Sequence, residues 1–162
     1  MKVNRHGSAT TELISDCEVR IQRAFDAPMS LVFDALTKPE HLGVWFSADR
    51  TPLHICEIDF RVGGKYHFAW YAKDFECSFR GTFLEIERPT RIVQTWLFEG
   101  WPDDEALDTV TLTEDGGITT MTDVLRFKDR ASLGNHFQGD TQGLQSSYDQ
   151  LEDLLAALSR SL

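Results

Sequence analysis

Two residues near the C-terminus and one in an earlier stretch have side chains that could anchor a ligand or move a proton. His136 and Asp140 are four positions apart in LGNHFQGDTQGLQSSYDQLEDLL, so a helix there would let the two side chains pair directly. Asp123 lies in ITTMTDVLRF, where strand alternation puts it on the face of Met121 and Leu125. An acid on an apolar face either has a raised pKa or pairs with a base. The three residues are therefore candidates for a polar site inside the protein.

The C-terminal helix that would carry this pair is predicted from about Ala131 to about Ala157. At about 100° per residue its apolar residues form one stripe, on which Asp140 also lies: Leu133, Phe137, Leu144, Tyr148, Leu151 and Leu155. Gly139 and Gly143 remove side chains beside that stripe, each at about 1 kcal/mol of helix stability relative to alanine. Glycines in a helix are more easily tolerated where another group must approach the helix backbone closely or where space beside the helix must stay open. We interpret the helix as the cover of a partly hollow core.

The rest of the chain must supply the sheet that this helix covers. Segments of alternating apolar and polar residues predict six or seven strands, separated by short turns such as Gly63-Gly64. Two short helices, MSLVFDALT and EHLGVWF, follow the first strand. This order is typical of an α+β domain with two layers, an antiparallel sheet with one long helix across it. The predicted strands are 18–25, 54–60, 65–71, 76–87, 91–99, 107–114 and 118–127.

Length and cysteine usage bound the organisation of the chain. The 162 residues are the size of one domain, and we assign residues 16–162 to it. Residues 1–15 are polar and show no period, which predicts a flexible N-terminal arm. Three cysteines match no zinc motif and no signal peptide precedes them, so we expect reduced thiols in a cytoplasmic protein.

Charge and motifs exclude several functions. The net charge is -10, from 26 acidic and 16 basic residues. Such a surface repels phosphate backbones and anionic lipids, so we expect neither a nucleic-acid nor a membrane partner. No catalytic signature is present, and the five histidines show no metal-ligand spacing. We therefore predict neither a metal nor a cofactor, and we assign no catalytic residue. The sequence leaves open whether the protein is a monomer or a homodimer.

Aromatic residues point to the lining of a cavity. They make up 11% of the chain, and many fall on predicted strands, which suits either a core of large rings or a cavity lined by them. Binding pockets are mostly apolar with a few placed polar groups. In KYHFAWY the register decides whether His67 or Trp70 faces inward. The predicted cavity residues are Trp45, His67, Trp70, Phe79, Trp96, Asp123, His136, Asp140, Leu144 and Tyr148.

Several of these residues also have a plainer interpretation. Asp140 could reach solvent near the start of its helix, and Asp123 could lie at a bulge or a sheet edge. Tyr148 could be a core residue with a bonded hydroxyl. Trp45 either covers a ligand or plugs the helical corner, and Trp96 is either core or cavity wall.

Five strings in one order carry a resemblance to a known group of proteins. They are FDAPMSLVFDALTKPEHLGVWF, CEIDFRVGGKYHF, FRGTFLEIERPTRIVQTWLFEG, TVTLTEDGGITTMTDVLRF and GLQSSYDQLEDLL. Over residues 18–158 the chain resembles the START-like (SRPBCC) superfamily, also called the birch-pollen-allergen or helix-grip fold. Within it, the similarity is to the group named after the activator of heat-shock protein 90 ATPase. The resemblance implies a curved sheet that grips the C-terminal helix, with a cavity between them.

Three functions follow from the residues and the resemblance. The first is non-catalytic binding of a lipophilic or aromatic small molecule, as in many members of the superfamily. The second is an enzyme of the cyclase or hydratase kind that uses Asp140 and His136 as acid and base. The third is a chaperone-associated module, suggested by the name of the group. The aromatic strands, the glycines and the inward acid favour the first.

Overall fold

The chain folds as an antiparallel sheet with helices against one side. The computed structural model describes residues 4–47, 51–73, 75–137 and 142–160. In chain order the elements are β1 (Thr10–Ser15), β2 (Glu18–Phe25), α1 (Met29–Thr37), α2 (Pro39–Trp45), β3 (Ile55–Ile58), β4 (Lys65–Ala72), β5 (Phe75–Glu87), β6 (Arg91–Phe98), β7 (Ala106–Asp115), β8 (Ile118–Arg126), α3 (Arg130–His136) and α4 (Gln142–Arg160). The strand order is β1-β2-β8-β7-β6-β5-β4-β3. The predicted α+β class, with a curved antiparallel sheet and a long C-terminal helix, is confirmed.

The described residues form eight strands, where six or seven are predicted, because β1 has no sequence signal. Thr11 pairs with Ile21 and Leu13 with Val19, so residues 10–15 extend the sheet instead of forming a loose arm. All six residues of β1 are exposed, and Leu13 is 61% exposed. A strand is predicted from the alternation of apolar and polar residues. An edge strand with no buried face lacks that alternation, so the sequence does not reveal it.

The segment before β1 also contacts the domain. The backbone N–H of Arg5 donates to the Glu152 carboxylate at 3.1 Å. Ala9 and the side-chain amide of Gln145 exchange two hydrogen bonds, at 3.0 and 2.8 Å. The predicted arm is therefore tied to α4 by its backbone groups, which a reading of side-chain periodicity does not detect.

Alternation along the strands gives the sheet its apolar inner face. In β4 the side chains of Tyr66, Phe68 and Trp70 are buried on that face, and Tyr71 on the other face is exposed. The β5–β6 register shifts between Phe83 and Glu85, which is the position of a bulge. Bulges bend a strand and increase its twist, so this one contributes to the curvature around the inner space.

Gly81 lets an aromatic ring lie flat against β5. A Cβ at this position would overlap both the carbonyl oxygen of Thr95 and the ring of Tyr66. The Tyr66 hydroxyl donates to that same carbonyl oxygen at 2.7 Å. The absence of a side chain at Gly81 therefore fixes where the Tyr66 ring sits on the inner face.

The two short helices close the corner between β2 and β3. Pro39 is the first residue of α2, where its fixed φ suits the first helical turn. Trp45 ends α2, is 5% exposed, and donates from Nε1 to the carbonyl oxygen of Ala35 in α1 at 2.8 Å. This bond joins the two helices and holds the indole over one end of the sheet.

The C-terminal region contains two helices, where a single helix is predicted. Asp129 caps α3, since its side chain accepts from the N–H of Ser132 at 2.8 Å. Phe137 has φ −124° and ψ 89°, so α3 ends there. Gly139 and Asp140 lie outside the described residues.

Polar contacts hold α4 in place. The Gln150 side chain donates to the carbonyl oxygens of Trp45 and Ser47, at 2.9 and 2.6 Å. The fully buried guanidinium of Arg23 contacts the Glu152 carboxylate at 2.8 Å. The apolar stripe of α4 agrees with the predicted one and consists of Leu144, Tyr148, Leu151 and Leu155.

Helix length and polarity bear on membrane insertion. α4 has 19 residues and carries charged side chains along its length. Within the described ranges, no helix is both long enough and apolar enough to cross a membrane.

We expect Gly81→Ala to lower the free energy of unfolding by about 1–3 kcal/mol, because the added methyl group must displace the Tyr66 ring or the β6 backbone. Urea unfolding measures the change. Gly134→Ala in α3 is the matched control, since a Cβ there meets no atom within 4 Å, and it should stabilise by about 1 kcal/mol or less. Equal effects at the two glycines would contradict the role assigned to Gly81.

Candidate functional site

A cavity of about 370 Å³ lies between the inner face of the sheet, the α1–α2 corner and α4. Its volume is in the range of small-molecule sites. The wall is largely apolar, and its aromatic members are Trp45, Phe46, Tyr66, Phe68, Trp70, Phe79, Phe83, Trp96, Phe137 and Tyr148.

The aromatic rings support one another around the cavity. The Phe46 ring centroid is 4.9 Å from that of Phe68 and 6.0 Å from those of Trp70 and Phe79. Phe79 in turn lies 5.3 Å from Trp96. Such pairs contribute about 0.5–1.5 kcal/mol each beyond their buried area, so the wall is held in shape without a ligand.

Gly143 shows where the cavity meets the surface. The residue is exposed and also belongs to the cavity lining, beside the first turn of α4. Among the described residues outside the helix's own backbone, no atom lies within 4 Å of a Cβ placed at Gly143. The proposed reason for a glycine here, open space under the helix, agrees with this geometry.

Two aspartates face the cavity from neighbouring strands. Asp108 in β7 is 7% exposed and Asp123 in β8 is 9% exposed. In the β7–β8 register Asp123 is opposite Val110, two residues along β7 from Asp108, so the carboxyls are diagonal neighbours on one face. Gln94 of β6 is directly opposite Asp108. The three side chains form a polar row across an otherwise apolar surface.

Hydrogen bonds occupy one oxygen of each carboxyl. The Tyr148 hydroxyl, on α4, donates to Oδ2 of Asp123 at 2.6 Å, and Nε2 of Gln94 donates to Oδ2 of Asp108 at 3.0 Å. Both Oδ1 atoms are buried and accept no hydrogen bond from any other described group. The two carboxyls are close enough to bond each other, which they can do only when one of them carries a proton.

Burial controls the protonation of this pair. Burial, followed by the charge of Asp123, raises the pKa of Asp108 well above its ordinary value. Burial also raises the pKa of Asp123, against the opposing effect of the bond from Tyr148. Burial therefore favours a proton held within the pair, in which Asp123 is the member beside the Tyr148 hydroxyl.

The structure places seven of the predicted cavity residues in the lining. Asp123 is neither at a bulge nor at an edge, and the Tyr148 hydroxyl is bonded to it. These seven are Trp45, Trp70, Phe79, Trp96, Asp123, Leu144 and Tyr148. Asp140 lies outside the described residues, so its predicted pairing with His136 cannot be placed.

His67 faces away from the cavity, which corrects its predicted position. Because Tyr66, Phe68 and Trp70 occupy the inner face of β4, alternation turns His67 to the other side. Its Nε2 is 2.8 Å from the hydroxyl of Ser78, which is 2% exposed. A serine this inaccessible cannot serve as a nucleophile for a substrate, so we assign His67 a structural position on the outer face.

His136 lies behind the cavity wall, not in it. Its ring centroid is 5.1 Å from that of Trp96, 4.8 Å from Trp101 and 4.9 Å from Phe127. Burial lowers its pKa, so the imidazole is neutral near neutral pH. Since α3 ends at Phe137, His136 is directed into this aromatic cluster and does not follow the stripe of α4.

Sequence reasoning missed Asp108 and Gln94, although the signal was present. In ALDTVTLTED, Asp108 is in phase with Val110 and Leu112, which are buried. In RIVQTWLF, Gln94 is in phase with Ile92 and Trp96. The same test that selected Asp123, a polar residue on the apolar face of a strand, selects both.

One further cluster has metal-ligand residue types. His6, Glu152 and Asp153 bring ligand atoms within 4.8 Å of one another at the surface. Glu152 already contacts the buried guanidinium of Arg23 and the backbone of Arg5. The cluster is accounted for by the ion pairs that tie the N-terminal segment to α4.

The sheet, the long C-terminal helix and the internal space between them define a helix-grip domain. A solved structure of a protein from Rhodobacter sphaeroides is similar, with a TM-score of 0.83 at 21% identity, covering 92% of this chain and 99% of that chain. A protein from Chromobacterium violaceum has a TM-score of 0.71 at 26% identity, covering 87% and 98%. These likenesses concern the fold.

The sequence identifies the family. Residues 26–156 match the family described as Activator of Hsp90 ATPase homolog 1-like protein, and the chain belongs to it. This confirms the resemblance on which the fold was predicted. An uncharacterized protein of Schizosaccharomyces pombe is 24% identical over 121 residues, which are 74% of this chain and 32% of that protein. The chain thus spans about a third of the length of that curated relative.

We expect Asp108→Asn to stabilise the protein increasingly as pH rises from about 4, the ordinary range of an aspartate, towards neutral. The folded pKa of Asp108 is raised, so its contribution to stability is complete below the unfolded pKa and is lost as pH rises through the folded pKa. The amide keeps the shape and does not titrate. The difference between variant and wild type should grow by at most about 1.4 kcal/mol per pH unit within that window.

Urea unfolding at several pH values measures this difference. Asp104→Asn is the control. The bond from Asn135 lowers the pKa of Asp104, so the contribution of Asp104 to stability is lost only as pH falls below the ordinary aspartate range. The difference between this variant and the wild type should therefore stay constant from about pH 4 to neutral. A constant difference between wild type and Asp108→Asn at all pH values would show that Asp108 ionises normally.

Proposed function

We propose that this protein binds a lipophilic or aromatic small molecule in the cavity between the sheet and α4, without transforming it. The observation that carries the proposal is a preformed apolar space of about 370 Å³ whose few polar groups converge at one place. A space of this size left empty would forfeit contacts with its lining, at a cost that rises with the volume. A ligand that fills it recovers those contacts.

The polar row gives the site an orientation. Gln94, Asp108, Asp123 and Tyr148 lie together on the inner face, while the rest of the wall offers rings and aliphatic chains. A molecule with one polar end therefore binds in one direction, with the polar end at the carboxyls and the apolar body against the aromatic wall. Placement by a few polar contacts is how apolar pockets obtain specificity.

We expect Gly143→Phe to weaken ligand binding without unfolding the protein, because the ring occupies open space at the cavity wall. A thermal-shift screen of polycyclic aromatics, flavonoids, polyketides and lipophilic alcohols and amines supplies the ligand. At about 100 times its dissociation constant a ligand adds about 2.7 kcal/mol to the folded state, a rise of several degrees in Tm. Gly143→Phe should lose most of that rise.

Gly134→Phe is the matched control, since Gly134 is also helical with open space around its Cβ position but does not line the cavity. It should bind the ligand as the wild type does. A flat screen with the wild type, or equal ligand response in the two variants, would contradict binding in this cavity.

Acid–base catalysis on the bound molecule is the second candidate. A protonated carboxyl that faces an apolar cavity can donate a proton, and this observation favours Asp108 and Asp123 over the predicted pair of Asp140 and His136. The ligand found by the screen should then be converted by the wild type and not by Asp108→Asn, as followed by mass spectrometry. Turnover that survives the substitution would remove the assignment.

A chaperone-associated role stays a prediction that rests on the family name. A contact between this chain and a chaperone ATPase would use its outer surface, so it is compatible with an occupied cavity. The expected absence of nucleic-acid and membrane partners stays a prediction, and the choice between monomer and homodimer stays open.

A further inference from the structure

The cavity is one-sided in its charge. Its described lining contains two aspartates and no lysine, arginine or histidine. A carboxylate or phosphate brought into such a space loses its hydration and finds no counter-charge. It also meets the Asp108 and Asp123 carboxyls, which repel an anion when they are ionised. The lining therefore disfavours anionic ligands such as fatty acids.

The cavity is also one-sided in its hydrogen bonding. The hydroxyls of Tyr66, Ser147 and Tyr148 already donate to protein oxygens, at 2.7, 3.0 and 2.6 Å. The amide of Gln94 donates to Asp108. The Oδ1 atoms of the two aspartates accept no bond from another described group. Apart from the proton that the two carboxyls share, these hydroxyl and amide donors are already engaged, so a ligand that donates can take the place of that proton.

The walls add a preference for positive charge. Trp45, Trp70 and Trp96 line the cavity, and a cation that lies over an uncovered part of an aromatic face is attracted electrostatically. A charge-assisted bond from an ammonium to a buried carboxylate is stronger than one from a neutral donor. Both effects act in a space from which water is largely displaced by the ligand.

We propose that the ligand is a lipophilic or aromatic amine, bound through its protonated nitrogen to the Asp108–Asp123 pair. This inference rests on the proposed function, since it requires that the cavity be a binding site. The ammonium replaces the shared proton as the donor to the Oδ1 atoms, and the hydrocarbon body lies against the aromatic wall. Gln94 and Tyr148 keep the two carboxyls in place from the other side.

The titratable groups around the pair determine how binding depends on pH. Tyr148 faces the pair from α4 and Tyr66 faces it from β4, and burial raises the pKa of both, so they stay neutral. The described lining holds no further ionisable side chain. Because the carboxyl pKa values are raised, amine binding should weaken on acidification at a higher pH than an ordinary aspartate would give.

A series with one aromatic body and three head groups tests the inference: 1-naphthylmethylamine, 1-naphthalenemethanol and 1-naphthoic acid. Titration calorimetry at neutral pH should give an amine affinity about tenfold or more above that of the alcohol, and no detectable binding of the acid. In Asp123→Asn the amine and alcohol should bind within about threefold of each other. Asp104→Asn, which changes an acid outside the cavity, should keep the wild-type preference.

A second measurement does not depend on the variants. Titration of the wild type with the amine in buffers of different ionisation enthalpy should show net proton release at a pH where the pair is protonated. The absence of proton release, or equal affinity for amine and alcohol, overturns the amine proposal while leaving the proposed function standing. Binding of the acid in preference to the amine does the same. If no compound of this series or of the wider screen binds, the proposed function itself fails.

Discussion

The structure depends on one constraint: α4 must be held over the curved sheet while the cavity between the helix and the sheet stays unfilled by the side chains of the helix. α4 meets this constraint through polar contacts to its surroundings. Gln150 bonds the carbonyl oxygens at the end of α2, the buried Arg23 reaches the carboxylates of the helix, and Gln145 bonds the backbone of Ala9. Because these contacts fix the position of α4, the helix does not depend on close packing against the aromatic wall. A cavity is therefore compatible with an ordered helix.

The same arrangement explains how two buried acids are tolerated. An isolated carboxylate in an apolar interior is strongly disfavoured, and Asp108 and Asp123 have no cation beside them in the described lining. A proton held within the pair reduces its negative charge, and the Tyr148 hydroxyl donates a hydrogen bond to the Asp123 carboxyl. The register of β6, β7 and β8 brings Gln94, Asp108 and Asp123 into one row, so the sheet geometry creates the pair.

Much of the fold could be predicted from strand alternation, because one face of almost every strand is buried. β1 was not predicted because all of its residues are exposed. A strand that is held only by backbone hydrogen bonds has no alternation of apolar and polar side chains. The same alternation identifies Asp123, and it also selects Asp108, which is in phase with Val110. Alternation did not determine whether His67 points toward the cavity. A period of two shows which residues share a face of the strand, but it does not show which face is the inner one.

His136 shows a different limit, that of the helical wheel. The wheel assumes a continuous helix, and Phe137 leaves the helical conformation, so residues before and after it do not share one axis. Side chains that a single wheel places together are then directed to different parts of the core. Residues within α4, such as Leu144 and Tyr148, keep their predicted relation, and Phe137 also lines the cavity with them.

The distribution of tryptophan has an optical consequence. Three of the four tryptophans, Trp45, Trp70 and Trp96, line the cavity, and Trp101 packs outside it while remaining 40% exposed. A molecule that fills the cavity therefore changes the surroundings of three indoles and leaves the fourth as an internal reference. The intrinsic emission of the chain reports whether the interior is occupied, without any attached dye.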